Sequence, residues 1–314
     1  MSDTVNVQVA ERIEEADGVV SLVLVDALGH ELPQWRPGAH LDLHLDRRGE
    51  AGLVRQYSLC GDPAERSSYR VAVLREETGT ASRQIHDVIR QGQLLRVSAP
   101  RDRFGYAASP SLVFIAGGIG ITPLLSMLEA ASAEGTDWQL HYAGRSRRAM
   151  AFLERLQRHG DRVHVYPGDT GARMDLDAIV RSSGAAPIYA CGPARLLEAI
   201  EERAAESGRL RVERFVSDAQ AQREDDHPFE VEFALTGGSV MVRPGESILD
   251  KVVEAGVPAP SSCRGGTCGT CETFVVEGEP DHRDAVLNAK EREESEVMMI
   301  CVSRCKGARL VLEL

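Results

Sequence analysis

Four cysteines carry the most specific chemistry in the chain. Cys263, Cys268 and Cys271 stand in the string Cys-Arg-Gly-Gly-Thr-Cys-Gly-Thr-Cys, spaced C-x4-C-x2-C, and 29 residues separate Cys271 from Cys301. Two irons need four thiolates arriving from several directions. This spacing supplies three from one tight loop and a fourth from a distant part of the chain, the pattern that holds a [2Fe–2S] cluster. Gly265, Gly266 and Gly269 let the backbone approach such a cluster and aim N–H groups at its sulfurs, which tunes its potential. A zinc site is the alternative, but it normally uses two C-x2-C knuckles and one is present here. Five of the seven cysteines fall in the last 52 residues. An odd number crowded in this way reads as metal binding, not as a disulfide framework. Cys60 and Cys305 have no place in the spacing and are expected to be small buried apolar residues.

Three further strings could hold organic cofactors. Gly117-Gly118-Ile119-Gly120-Ile121-Thr122-Pro123 lies between an apolar strand pattern and an apolar helix pattern. Glycines there let a dinucleotide pyrophosphate approach the helix N-terminus, where free N–H groups and the dipole favour an anion. Thr122 can cap the helix and Pro123 suits its first turn. The string is not G-x-G-x-x-G, and a tight turn without a ligand would explain its glycines alone. Tyr189-Ala190-Cys191-Gly192-Pro193 also ends a strand and opens a helix. Arg55-Gln56-Tyr57-Ser58-Leu59 offers an Arg for a phosphate, a flat Tyr face for a ring system and a hydroxyl. Read alone, it is an ordinary strand with one exposed Arg.

Taken together, these strings resemble the ferredoxin–NADP reductase superfamily. Residues 55–59 resemble its flavin-binding strand, and residues 117–123 its G-G-x-G-x-T-P turn. Residues 191–193 resemble its C-G-P motif, whose Cys lies near the nicotinamide. A catalytic thiol competes at Cys191, but no His or Asn arrangement supports nucleophilic catalysis. Val212-Glu213-Arg214-Phe215 resembles the segment whose aromatic covers the flavin, with a core Phe as the other reading. The last 87 residues resemble a plant-type ferredoxin, down to the leading strand and Ser262 before the first Cys. The order of flavin barrel, nucleotide domain and C-terminal ferredoxin resembles the phthalate dioxygenase reductase family, including the reductases of vanillate O-demethylases, over essentially the whole chain.

The resemblance implies FMN rather than FAD, bound by Arg55, Gln56, Tyr57, Ser58, Val73, Leu74, Ser82 and Phe215. It implies NAD on Gly117, Gly118, Gly120, Thr122, Arg145, Ser146, Asp169, Cys191, Gly192 and Pro193, with the cluster on Cys263, Cys268, Cys271 and Cys301. No side chain is expected to act as an acid or base; Cys191 and Phe215 lie near the nicotinamide and flavin, and the cofactors carry the electrons. The family often has Gly-Gly-Ser where this chain has Thr80-Ala81-Ser82, which keeps Ser82 for the flavin phosphate but alters the neighbouring backbone contacts. Arg145-Ser146-Arg147-Arg148 could attract a 2′-phosphate, whereas Asp169 could repel one or bind ribose; NADH is the favoured donor. The implied function is an NADH-dependent reductase that passes electrons through FMN and [2Fe–2S] to a terminal oxygenase. A Rieske-type aromatic-ring dioxygenase or O-demethylase is the first reading of that partner. A haem-thiolate monooxygenase partner, or a free-standing quinone reductase, is the alternative.

Elements of three kinds must position these groups. The chain has 314 residues, 43% hydrophobic and 27% charged, ordinary values for full-sized cores. Residues 1–105 alternate as short strands with one helix over 82–91 burying Ile85, Val88 and Ile89, an antiparallel flavin-binding barrel. Residues 106–217 alternate strand and helix, with helices expected over 124–133, 149–158, 176–180 and 194–206; this is a doubly wound parallel nucleotide-binding domain. Residues 218–227 are polar without period and read as a linker. Residues 228–314 form the ferredoxin unit, opening with a hairpin and a helix over 247–255 that turns Ile248, Val252 and Val253 inward. This unit holds 15 acidic and 9 basic residues, half of the chain's net charge of −12. That balance argues against nucleic acid and suggests docking on a basic partner surface. No run is long enough for a membrane span and the start is not a signal peptide, so a monomeric cytoplasmic protein is expected.

Overall fold

Period-two burial builds the first sheet. In the computed structural model, which describes residues 4–47, 50–77, 80–204, 208–215 and 225–314, Leu41, Leu43 and Leu45 of one strand all point into the core. The strands are β1 (Thr4–Ala16), β2 (Val19–Asp26), β3 (His40–Arg47), β4 (Glu50–Ser58), β5 (Ser68–Leu74) and, after helix α1 (Thr80–Asp87), β6 (Leu94–Ser98). Their order is β4-β3-β6-β1-β2-β5, every pairing is antiparallel, and a bridge between Leu59 and Val71 joins the two edges into a barrel. Helix α1 is shorter than the sequence suggests. It ends at Asp87, leaving Val88 58% exposed, while Ile89 reaches the core from a widened turn whose N–H bonds to Gln84 O.

Parallel pairing takes over at residue 111. The second sheet runs β7 (Ser111–Gly117), α2 (Ile121–Ala133), β8 (Asp137–Gly144), α3 (Leu153–Gln157), β9 (Val163–Pro167), α4 (Leu176–Ser182), β10 (Ile188–Cys191), α5 (Ala194–Ala204) and β11 (Leu210–Glu213). Its order is β11-β10-β7-β8-β9, parallel throughout. Phe114, Trp138, Leu140 and Tyr142 pack one face, and Val113, Ile115, Ile188 and Ala190 the other. The order of strand addition reverses between β7 and β10, which opens the crevice where such sheets bind ligands. The helix expected over 149–158 is only Leu153–Gln157. Left-handed Phe152 (φ 63°) breaks it, its buried ring lying under the Arg70 guanidinium.

Two compact units emerge, Met1–Glu213 and Arg214–Leu314. The second contains β12 (Phe229–Phe233), β13 (Ser239–Val242), α6 (Ile248–Glu254), β14 (Glu272–Glu277), β15 (Pro280–Asp281), α7 (Ala289–Glu294), β16 (Val297–Met299), β17 (Arg304–Cys305) and β18 (Arg309–Leu312). Five of these strands form the sheet β13-β12-β18-β14-β16. Ser247 caps α6, which buries Ile248, Leu249 and Val252; Val253, expected inward, is 46% exposed because Leu249 takes the core position instead. Most of the expected linker lies outside the described residues. Its last part is tied down, since the buried Asp226 carboxylate pairs with Arg283 and Arg304. Among the described residues, no helix is long and apolar enough to cross a membrane.

Candidate redox sites

Left-handed glycines shape the cluster loop. Gly266 (φ +68°) and Gly269 (φ +66°) turn the chain so that amide groups face sulfur. Gly265 and Thr267 N–H donate to Cys263 Sγ at 3.3 and 3.5 Å, and Thr270 N–H donates to Cys268 Sγ at 3.3 Å. The bond from Ala285 N–H to Gly266 O, 2.8 Å, pins the loop from outside. Cys301 arrives from the turn after β16, within hydrogen-bonding reach of Cys263 and Cys271. Bonding among the thiols holds Cys263 below the usual thiol value and pushes Cys268 and Cys301 above it. Three buried sulfurs and the half-buried Cys263, gathered with backbone N–H groups aimed at sulfur, make a donor set that fits [2Fe–2S]. Cys60 and Cys305 are also buried, as small apolar residues are.

The nucleotide strings meet at the switch point. A Cβ added to Gly120 would lie 2.3 Å from Cys191 O, and one on Gly117 would lie 2.6 Å from Pro193 Cδ. Residues 117–120 and 191–193 therefore pack backbone against backbone, at the C-terminal ends of neighbouring β7 and β10. Thr122 does not cap α2. A 3-10 turn over Gly118–Gly120 runs straight into the helix, so Thr122 lies inside it and donates to Ile119 O at 2.9 Å. Ile121 N–H already bonds back to Gly118 O and no side chain caps the 3-10 turn, so it is the N–H groups of that turn, at the head of the helix, that suit a pyrophosphate. At the far rim, Asp169 Oδ1 accepts from Arg147 N–H at 3.3 Å, which brings Asp169 beside Arg145 and Ser146; Ser146 caps the turn that follows β8.

Flavin residues gather along the joined barrel edge. Arg55 is exposed, Gln56 and Tyr57 are partly buried, Ser58 is buried, and burial pushes the Tyr57 hydroxyl pKa up. Val73 and Leu74 end β5, and Ser82 at the start of α1 folds back on them, accepting from Glu76 N–H at 3.1 Å. Phe215 lies just past β11 and is 40% exposed.

Glu213 is the residue the sequence reading left without a role. It pairs with Cys191 across β10 and β11 and hydrogen-bonds Ser58 of the flavin strand. Its Oε2 is sealed from solvent without a partner. Burial, helped by the Asp102 charge, pushes its carboxyl up to about 8. Burial and Glu213 together push the Cys191 thiol well up, so it is a neutral packing group and not a nucleophile. An orphaned polar atom between a flavin strand and a nicotinamide turn fits a hydrogen-bonding ring system placed there. The signal was available in sequence only as the position two residues before Phe215.

Comparisons with known proteins agree with this geometry. Residues 114–202 match the oxidoreductase NAD-binding domain and residues 234–306 match the 2Fe-2S iron-sulfur cluster binding domain. Phenoxybenzoate dioxygenase subunit beta of Ectopseudomonas oleovorans is 43% identical over 305 residues, 95% of this chain and 94% of that one. The solved structure of phthalate dioxygenase reductase superposes with a TM-score of 0.75 at 34% identity, covering 99% of this chain and 98% of that one. An intact type IV self-sufficient cytochrome P450 monooxygenase superposes at 0.87 with 40% identity, covering 99% of this chain, which spans only 41% of that longer one. Fold and sites define an oxidoreductase that joins a flavin, a nicotinamide nucleotide and an iron–sulfur cluster on one chain. It belongs to the phthalate dioxygenase reductase-like family and carries a 2Fe-2S cluster binding domain and an NAD-binding domain.

Proposed function

We propose that the chain is the NADH-dependent reductase component of a multicomponent oxygenase, serving a Rieske-type aromatic-ring dioxygenase or O-demethylase. The observation that carries this is the meeting of residues 117–120 and 191–193 at the switch point, with Glu213 linking Cys191 to Ser58 of the flavin strand. FMN, when held there, would supply the exchange between a two-electron donor and a one-electron cluster. The protein's own part is orientation. The turn at the head of α2 holds the pyrophosphate, and Arg55 and Ser82 face the flavin phosphate. Glu213 keeps a proton beside Ser58 below about pH 8. The name of the 43% identical relative supports the dioxygenase partner. A haem-thiolate partner is the second reading, supported by the likeness to a fused P450.

NADH is favoured over NADPH because Asp169 stands beside Arg145 and Ser146, where a 2′-phosphate would meet its charge. Anaerobic addition of each nucleotide tests the reading by absorption. Rapid bleaching of overlapping flavin and iron–sulfur bands by NADH, with NADPH at least ten-fold slower, is expected. No bleaching by either nucleotide would overturn it.

A further inference from the structure

Hydride transfer tolerates little misplacement, since an error of about 1 Å can cost about 100-fold in rate. The flavin strand and the nucleotide turn belong to different sheets, so something must hold their spacing. Helix α2 runs between them. The turn at its head is the pyrophosphate site, and residues 126 and 129 lie three apart on one face. Ser126 Oγ accepts from Gly38 N–H at 2.9 Å and donates to Pro123 O at 2.9 Å, so its hydroxyl is fully committed. Gly38 leads into β3, the partner of the flavin strand β4. It has φ +84°, and a Cβ there would lie 2.4 Å from Met127 Cε, so the Met127 side chain of the helix packs directly on this glycine.

The second tie is ionic. Arg155 of α3 donates from Nη1 to Cys60 O at 2.6 Å, and from Nη2 and Nε to Glu129 Oε1 at 2.8 and 3.2 Å. Arg158 also contacts that oxygen. Cys60 follows Ser58 by two residues, and its N–H bonds to Arg70 O of β5 at 2.9 Å. Arg155 and Glu129 are 20% and 17% exposed, well shielded for an ion pair. An Arg fork binding a carboxylate and a carbonyl together fixes direction as well as distance.

We propose that Arg155 and Glu129 are positioning residues for hydride transfer, setting the spacing between the flavin strand and the nucleotide-binding end of α2. Neither residue touches the flavin or nucleotide sites. The pair acts through Cys60 on one side and through the length of α2 on the other. This rests on the NADH-to-flavin reading above, and its failure is separable: wild-type protein that NADH does not bleach defeats that reading, whereas the positioning role stands or falls on the variants.

The test compares Arg155→Met, Arg155→Lys and Glu129→Gln in the full FMN-loaded chain. Three quantities are read: NADH affinity, the single-turnover rate of flavin bleaching at saturating NADH, and the long-wavelength absorbance of nicotinamide stacked on flavin. Arg155→Met should bleach about 10- to 100-fold more slowly and lose most of the stacking band, with NADH affinity within about three-fold of wild type. Arg155→Lys, which keeps one donor and the charge, should recover part of both. Should Arg155→Met fail to fold, Glu129→Gln decides, with an expected slowing of about three- to ten-fold. Wild-type rates and band in a folded variant would overturn the proposal. So would a loss confined to NADH affinity, which would make the pair a binding device.

Discussion

The cluster loop and the flavin–nucleotide crevice do comparable work with opposite architectures. The loop places three of four metal ligands within nine residues and aims N–H groups at them from the same segment. The crevice draws on positions from 55 to 213, carried by two sheets and meeting only where β7, β10 and β11 end beside the barrel. A site built in one loop is set by covalent spacing and tolerates changes elsewhere. A site built across sheets depends on every contact that fixes those sheets together.

The sharpest test of that contrast removes a ligand. Cys271→Ala should abolish iron–sulfur absorption and cut NADH–cytochrome c reduction by more than about 100-fold, because four thiolates are needed. NADH–ferricyanide turnover should stay within about two-fold, the crevice being untouched; its collapse would break the distinction. Gly120→Ala should do the reverse. Its Cβ meets a backbone carbonyl, so NADH bleaching of the flavin should fall about 100-fold, at an overpacking cost on the order of 3 kcal/mol, while the cluster spectrum stays intact.

A smaller effect concerns protons. The folded Glu213 carboxyl is raised to about 8 from its ordinary 4.5, so its contribution to stability is full below about pH 4.5 and is lost as pH rises through about 8. Thermal scans should show wild-type Tm falling by about 5 °C between pH 5.5 and 8, and Glu213→Gln should flatten that slope. An unchanged slope would place the titrating group elsewhere. Smallest is Ser82→Ala. Losing one hydroxyl to the flavin phosphate should weaken FMN retention about five- to ten-fold on dilution, without altering NADH affinity.

Much of this was legible in the chain. The three compositional regions, the strand-to-helix alternation and the four ligand cysteines follow from periodicity and local spacing, which short-range sterics enforce. Three of the misreadings share one cause. Val88 and Val253 fit an apolar helix period yet lie exposed, because Ile89 and Leu249 take the core contacts that tertiary packing offers. The helix expected over 149–158 broke at Phe152, whose ring is held in the core beneath Arg70 of another sheet. Thr122 had the residue type of a cap, but the preceding 3-10 turn makes Gly120 the cap and leaves Thr122 two positions too late.

Sequence alone carried the iron–sulfur spacing and the glycine turn, which are properties of short segments, while the flavin followed from the resemblance. It also determined the order of the three parts. Only the tertiary structure decided that Glu213 is a protonated neighbour of Ser58 and Cys191, and that Arg155 reaches from one sheet to the other through Cys60. Both depend on burial and on contacts between residues 22 to 155 positions apart. Long-range proximity of that kind is set by how whole sheets pack, and no local pattern encodes it.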